Sequence, residues 1–266
     1  MKQSITAHIV VKNEDQWLYY ALHSILPHAD QILLCDTGSS DHTLDIIRSF
    51  SSPKIKFSQT NISSPDELTT LRKEQIKLTN TPWLWVVDGD EIYPEDTIAE
   101  IKSYLTDDCH GIAVRRYDLL GDVYHRQVET VGEYQLLGQK GHLVTRLINL
   151  RAFPGLHVAR PYPLEAYLDN KDRVIHSYDI SKWKVTHSYL YHAMYLKRSS
   201  LGSRLPMFNR SKYKIETGIP VTSPLPSVFS LSRPSYVSDP LAHRSLTYEL
   251  LAHVITPIKK LKRKIV

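Results

Sequence analysis

Two carboxylates two positions apart, Asp88 and Asp90, follow the apolar run Trp83–Val87 with Gly89 between them. At a strand end that spacing turns both side chains to one side, and the glycine leaves room for a ligand to approach. Paired hard oxygen donors suit Mg2+ or Mn2+, and such a cation in turn suits a diphosphate. Two more polar clusters close apolar runs: Lys12, Asn13 and Glu14 after Ile5–Val11, and Asp36 to Asp41 after Gln31–Cys35. Ligands of an open parallel sheet bind beyond the carboxyl ends of its strands, so the three clusters should converge on one edge. Neither a Gly-x-x-x-x-Gly-Lys phosphate loop nor a Gly-x-Gly-x-x-Gly dinucleotide run is present. A metal, rather than a glycine loop, would have to neutralise the phosphates.

The elements that must position these residues alternate in type. Ile5–Val11 and Gln31–Cys35 read as buried strands, Lys54–Phe57 as a short third strand and Trp83–Val87 as the next. Between them, Asn13 offers a helix cap before Leu18, Ala21, Leu22 and Ile25, and a second helix starts near Asp41. Ser64, Pro65 and Glu67 form a strong helix start, and Pro94 to Leu105 is helical. Strand–helix alternation with short connections is the mark of a parallel sheet covered by helices. Past residue 110 the pattern changes. Gly111–Tyr117 and His142–Leu150 read as strands, Tyr191–Tyr213 as a basic helix, and residues 218–240, with five prolines, as a linker or arm. Leu241–Ile265 is helical, with an apolar stripe and a kink expected at Pro257.

Composition narrows the class without naming it. The 266 residues are 42% hydrophobic and 23% charged, which excludes disordered, collagen-like and filamentous chains. Two cysteines, Cys35 and Cys109, cannot build a disulfide framework or a four-thiolate zinc site, so a reducing, cytoplasmic setting is the simplest reading. No signal peptide is visible, and no run approaches the roughly 18 apolar residues of a membrane helix. The net charge of +5 gathers largely in the last eight residues, with no nucleic-acid motif beside it, so nucleic acid is not an expected partner.

Three segments together resemble the family 2 glycosyltransferases of the GT-A fold: Ile9 to Glu14, Cys35 to Thr43, and Trp85 to Glu91. The resemblance covers about residues 5–110 and fades to scattered matches beyond. It implies a GT-A-type, Rossmann-like, mostly parallel α/β sheet with a variable C-terminal half and a C-terminal helix. Residues 1–110 would be the nucleotide-sugar-binding half, 111–217 the acceptor side of the same domain, and 241–266 a basic amphipathic helix. It further implies transfer of a sugar from a nucleoside-diphosphate donor, UDP first among them, to a hydroxyl on a glycan or lipid-linked acceptor, with inversion.

The same resemblance assigns residues. Asp36 matches the carboxylate that meets the nucleotide base, and Val11, Asn13, Glu14, Gly38 and Asp41 match the lining of that pocket. Arg72 matches a basic residue able to reach a phosphate or the carboxylates. Asp88, Gly89 and Asp90 match the Asp-x-Asp motif, whose Mn2+ or Mg2+ bridges the phosphates, with Asp90 counted as catalytic. His187 is the expected third metal ligand, with His192 behind it. The base that takes the acceptor proton is less legible, because Val158 follows His157 where the pattern has Glu. Glu165 is the nearest carboxylate downstream; Glu129, Glu133 and Asp118 are the alternatives.

Two features admit plain readings as well. The basic C-terminal helix could lie on anionic lipid, making the protein peripheral at a membrane surface, or simply pack on the body. Tyr189, Tyr191 and Tyr195 could stack on sugars, though core packing is the simpler role. Other activities stay open. A sugar nucleotidyltransferase would carry a Gly-rich basic loop after the first strand, which Lys12 to Asp15 lacks. A non-catalytic nucleotide-sugar-binding or scaffold module is the other alternative.

Overall fold

A computed structural model describes residues 3–161, 164–197 and 214–265. Its elements run β1 (Ile5–Val11), α1 (Leu18–Ile25), β2 (Gln31–Asp36), α2 (Thr43–Ser49), β3 (Ile55–Gln59), α3 (Pro65–Lys77), β4 (Trp83–Val87), β5 (Glu91–Ile92) and α4 (Glu95–Ser103). There follow β6 (Gly111–Leu120), β7 (Asp122–Arg126), β8 (Tyr134–Leu136), β9 (Gln139–Gly141), β10 (Leu143–Asn149), β11 (His157–Ala159) and β12 (Ala166–Leu168). The last elements are β13 (Trp183–His192), β14 (Ile219–Pro220) and α5 (Leu246–Ile265).

The first half is a parallel sheet in the order β3-β2-β1-β4, so β1 and β2 end side by side, with Val10 opposite Cys35 and Val11 opposite Asp36. The central strands β1, β2 and β4 are mostly apolar and buried along nearly their whole length because both faces are covered. In β4, Trp83, Trp85 and Val87 enter one core with Ile9, Leu22 and Leu34, while Leu84 and Val86 enter a second with Ile148, Phe153 and Trp183. Each such fully buried aliphatic side chain contributes roughly 1.5–3 kcal/mol.

The second half extends this sheet with mixed strands. β10 runs antiparallel to β4, β6 antiparallel to β10, and β13 parallel to β6. β13 also pairs with the two-residue β5, placing His192 opposite Glu91 on one side and opposite Asp118 on the other. This double pairing overturns the helix expected from Tyr191. Cross-strand partners outweigh its helical spacing, so Tyr191 and His192 finish a strand; residues 198–213 lie outside the described residues.

Other starts shift for local reasons. Asn13 does not cap α1, which begins at Leu18; its φ of +51° instead turns the chain at the end of β1. Ser64 does cap α3, accepting from the Glu67 N–H, with Pro65 first in the helix. α5 begins at Leu246 rather than Leu241, and Pro257 lies within it. The proline-rich arm is strapped to the body, with Phe229 and Val237 in the core and the Tyr20 hydroxyl donating to the Ser238 carbonyl at 2.8 Å. Cys35 and Cys109 are buried thiols. Among the described residues, no helix is long and apolar enough to cross a membrane.

Candidate active site

The loops after β1 and β2 are tied into one wall. The Asn13 N–H donates to Ser39 Oγ at 2.8 Å, and the Ser40 N–H returns a bond of 2.8 Å to Asn13 Oδ1. The Glu14 N–H donates to Thr43 Oγ1 at 2.7 Å. Asp36 is fully buried, and its Oδ1 accepts the N–H groups of Gly38 and Ser39, both at 3.0 Å. Asp41 accepts the Thr43 N–H at 2.9 Å, at the start of α2, and the Asp15 N–H at 3.3 Å. Gly38 has a φ of +93°, and a Cβ there would stand 2.6 Å from Asn61 Oδ1, so this turn needs glycine. Val11, Asn13, Glu14, Asp36, Gly38 and Asp41 therefore share one patch of the sheet edge.

The Asp88–Asp90 loop docks on that wall. A Cβ on Gly89 would lie 2.8 Å from Val11 Cγ1 and 3.0 Å from Glu14 Cγ. The room expected for a ligand is thus taken by the end of β1: Gly89 serves the approach of one loop to another. Asp88 keeps a partly exposed side chain in the cleft, while Asp90 is fully buried.

Arg146 organises these carboxylates, and nothing in its sequence spacing marks it. In the β10–β6 pairing Thr145 faces Ala113 and Leu147 faces Ile112, so Arg146 is the extra residue of a bulge. The bulge lets a guanidinium enter from an apolar strand. Its Nη2 reaches Asp88 Oδ2 at 2.6 Å and also bonds Glu91 Oε1. Burial works against the Arg146 charge, but Asp88 and Glu91 outweigh it and hold the pKa well above the ordinary value. Burial pushes the Glu91 carboxyl up, and Arg146 only partly offsets it. The signals available were a charged residue inside an otherwise uncharged strand and the likeness of Arg146-Leu147-Ile148 to an Arg-Leu-Phe strand of the family.

A second carboxylate–imidazole chain stands behind Asp90. His192 Nε2 is 3.4 Å from Asp90 Oδ2, and its Nδ1 is 3.0 Å from Asp118 Oδ1. Burial would raise Asp118, yet hydrogen bonding and charge from His192, with Arg116 at 3.0 Å, hold it below its usual range. An ionised Asp118 accepts a hydrogen bond from His192 Nδ1–H, which leaves Nε2 turned toward Asp90.

The remaining expected residues divide. Arg72 and Glu165 form an ion pair, Nε to Oε1, of 2.9 Å between α3 and the turn before β12. Burial opposes the Arg72 charge, but Glu165, Tyr167 and Asp88 raise its pKa, so the pair lies within electrostatic reach of Asp88. His187 lies elsewhere. It is exposed in the irregular part of β13, its N–H donating to Glu100 Oε1 of α4 at 2.8 Å. That is five residues, on the order of 15 Å, along the strand from His192. Glu129 accepts from the Tyr189 hydroxyl at 2.9 Å and Glu133 is exposed on a loop. Tyr189 stacks on Tyr117 with ring centres 4.2 Å apart, and Tyr191 is fully buried in the core.

The donor chemistry fits a hard divalent cation: carboxylates at Asp88 and Asp90, and an imidazole oriented by Asp118. Among the described residues no three His, Cys, Asp or Glu side chains form a ready-made cage. Asp88 would have to exchange Arg146 for the cation.

A parallel sheet with acidic loops converging at its carboxyl edge defines a nucleotide-binding class of fold. The chain belongs to glycosyl transferase family 2, whose model matches residues 6–157, from β1 through the Arg146 bulge to β11. It is 25% identical over 113 residues to the SPbeta prophage-derived glycosyltransferase SunS of Bacillus subtilis (strain 168). That match covers 40% of this chain and about a quarter (26%) of the length of SunS. Among solved structures, S. aureus TarS is similar at 14% identity and a TM-score of 0.49, over 71% of this chain and 36% of that one. The mannosyltransferase PcManGT from Pyrobaculum calidifontis, solved with GDP-Man and Mn2+, is similar at 17% identity and a TM-score of 0.37, over 44% of this chain and 36% of its own.

Proposed function

We propose that the protein is a glycosyltransferase that moves a sugar from a nucleoside-diphosphate donor to a hydroxyl of a glycan or lipid-linked acceptor, with inversion and with Mn2+ or Mg2+. The observation that carries this reading is Asp90 with His192 3.4 Å behind it, on the loop that holds Asp88 in the cleft beside the Asn13–Asp41 wall. Those three residues would hold the cation, which would offset charge on the departing diphosphate. Asp36, with the Val11 and Asn13 turn, would receive the base, and UDP is the proposed nucleotide. Arg72 is the proposed contact to a phosphate.

In the reaction the acceptor oxygen attacks the anomeric carbon, and the bond from that carbon to the diphosphate oxygen breaks. The proton of the acceptor hydroxyl passes to a carboxylate, for which Glu165 is the proposed base because it is paired with Arg72, which feels the charge of Asp88. The Arg72 ion pair aims it.

Calorimetric titration of UDP, GDP and dTDP, with and without Mn2+, tests the reading. Metal-dependent binding of one nucleotide is expected; its absence in the folded protein would sink it. Slow, metal-stimulated hydrolysis of a sugar nucleotide would separate an enzyme from a binding module. Release of pyrophosphate from a nucleoside triphosphate and a sugar phosphate would identify a nucleotidyltransferase instead.

A further inference from the structure

The helix α5 is amphipathic the wrong way round for a helix that only packs on its own domain. Tyr248, Ala252 and Thr256 face the body and are buried, and Arg263 on the same face pairs with Glu216 at 2.6 Å. The opposite face carries Leu246, Leu250, Val254, Ile258 and Leu261, exposed by 83%, 71%, 65%, 63% and 62%. At 3.6 residues per turn these five form one continuous outward stripe, roughly 22 Å long. Leaving five large aliphatic side chains in water along one line is costly unless something covers them.

Charge says what covers them. The helix has five basic residues, Lys259, Lys260, Lys262, Arg263 and Lys264, against one acid, Glu249. On the helical wheel Lys260 and Lys264 border one side of the stripe and Lys262 the other, and all three are exposed. Glu249 is bonded to Arg244 at 2.6 Å, and Glu216 is held by Arg263, so the nearby acids are already engaged. A second copy of this face would bring the same hydrophobic stripe with more lysines and no complementary charge. Anionic lipid supplies both missing parts, acyl chains for the stripe and phosphates for the rim.

We propose that α5 seats the protein on an anionic membrane surface, lying in the interface with its apolar stripe inserted and its lysines on headgroup phosphates. Tyr248 packs where a Cβ on Gly121 would stand, 2.8 Å from its ring, and Gly121 follows Asp118 by three residues in the chain. The docked helix therefore packs against the end of β6, the strand that carries Asp118. The inference rests on α5 alone and stands whether or not the site transfers sugars.

Flotation of the full chain with phosphatidylcholine vesicles, with and without phosphatidylglycerol, tests it. The protein is expected to float with the anionic vesicles and to be released by salt. Leu250→Ser and Val254→Ser, which touch no core, should each lower the partition coefficient by roughly tenfold. Lys260→Gln and Lys262→Gln should each lower it by about fivefold. Circular dichroism confirms that each variant is folded. No flotation of folded wild type, or flotation unchanged in the Leu250→Ser and Val254→Ser variants, overturns the proposal. So does a wild-type dimer in sedimentation equilibrium that Leu250→Ser dissolves while vesicle binding stays absent.

Discussion

Arg146 is the residue on which the site's integrity turns. It is buried against two carboxylates, so removing it strands the fully buried Glu91 beside the like charge of Asp88. Arg146→Ala is expected to cost roughly 3–5 kcal/mol in urea denaturation. Arg146→Lys should restore only part of that, because an ammonium is more strongly hydrated than a guanidinium and loses more on entering a buried ion pair. The histidines separate as sharply. His192→Ala should abolish the Mn2+ dependence of nucleotide binding in calorimetry, whereas His187→Ala should leave it unchanged, since only His192 faces Asp90. Equal effects from the two would remove His192 from the proposed metal set.

At the scale of elements, the site depends on loops approaching closely, and glycine decides how closely. Gly89→Ala forces a methyl against Val11 and Glu14, which overpacking data place at about 1–3 kcal/mol. Because the same contact seats the Asp88–Asp90 loop, nucleotide affinity should fall with stability. Gly138→Ala is the control: φ there is +74° but nothing lies within 4 Å of the added carbon, so only the left-handed backbone penalty of about 1–2 kcal/mol remains. Thermal melts and nucleotide titration of both variants check the contrast. The bulge at Arg146 is the other such device, one extra residue that swings a charge into the cleft.

At the scale of the whole molecule, acid should weaken the fold through His8. This β1 residue is buried with Nε2 2.6 Å from Thr79 Oγ1, and burial, aided by Arg72, lowers its pKa to about 3. The unfolded chain takes up a proton near the ordinary value of 6.5, while the folded one does not. Stability contributed by neutral His8 is therefore full above that value and is lost as pH falls toward 3. By about pH 5 the loss should be roughly 2 kcal/mol. Denaturation at several pH values, compared with His8→Asn, measures it; equal slopes for both proteins would show that His8 is not the group responsible.

The chain by itself determined the first half of the molecule. Apolar runs of strand length, a capping Ser64 and acidic strand ends are local signals, and local chemistry suffices to place β1 to β4 and to gather Asn13, Asp36, Asp88 and Asp90 on one edge. Family membership was legible there for the same reason. What the tertiary structure alone decided depends on register between distant strands. β13 pairs with β5 and β6 at once, which carries His192, not His187, to Asp90 and sets Asp118 behind it. A bulge sends Arg146 inward, and α5 turns its apolar stripe away from the body it packs on. Such choices are made by partners far along the chain, 58 residues for Arg146 with Asp88 and more for His192 with Glu91, so no short window of sequence contains them.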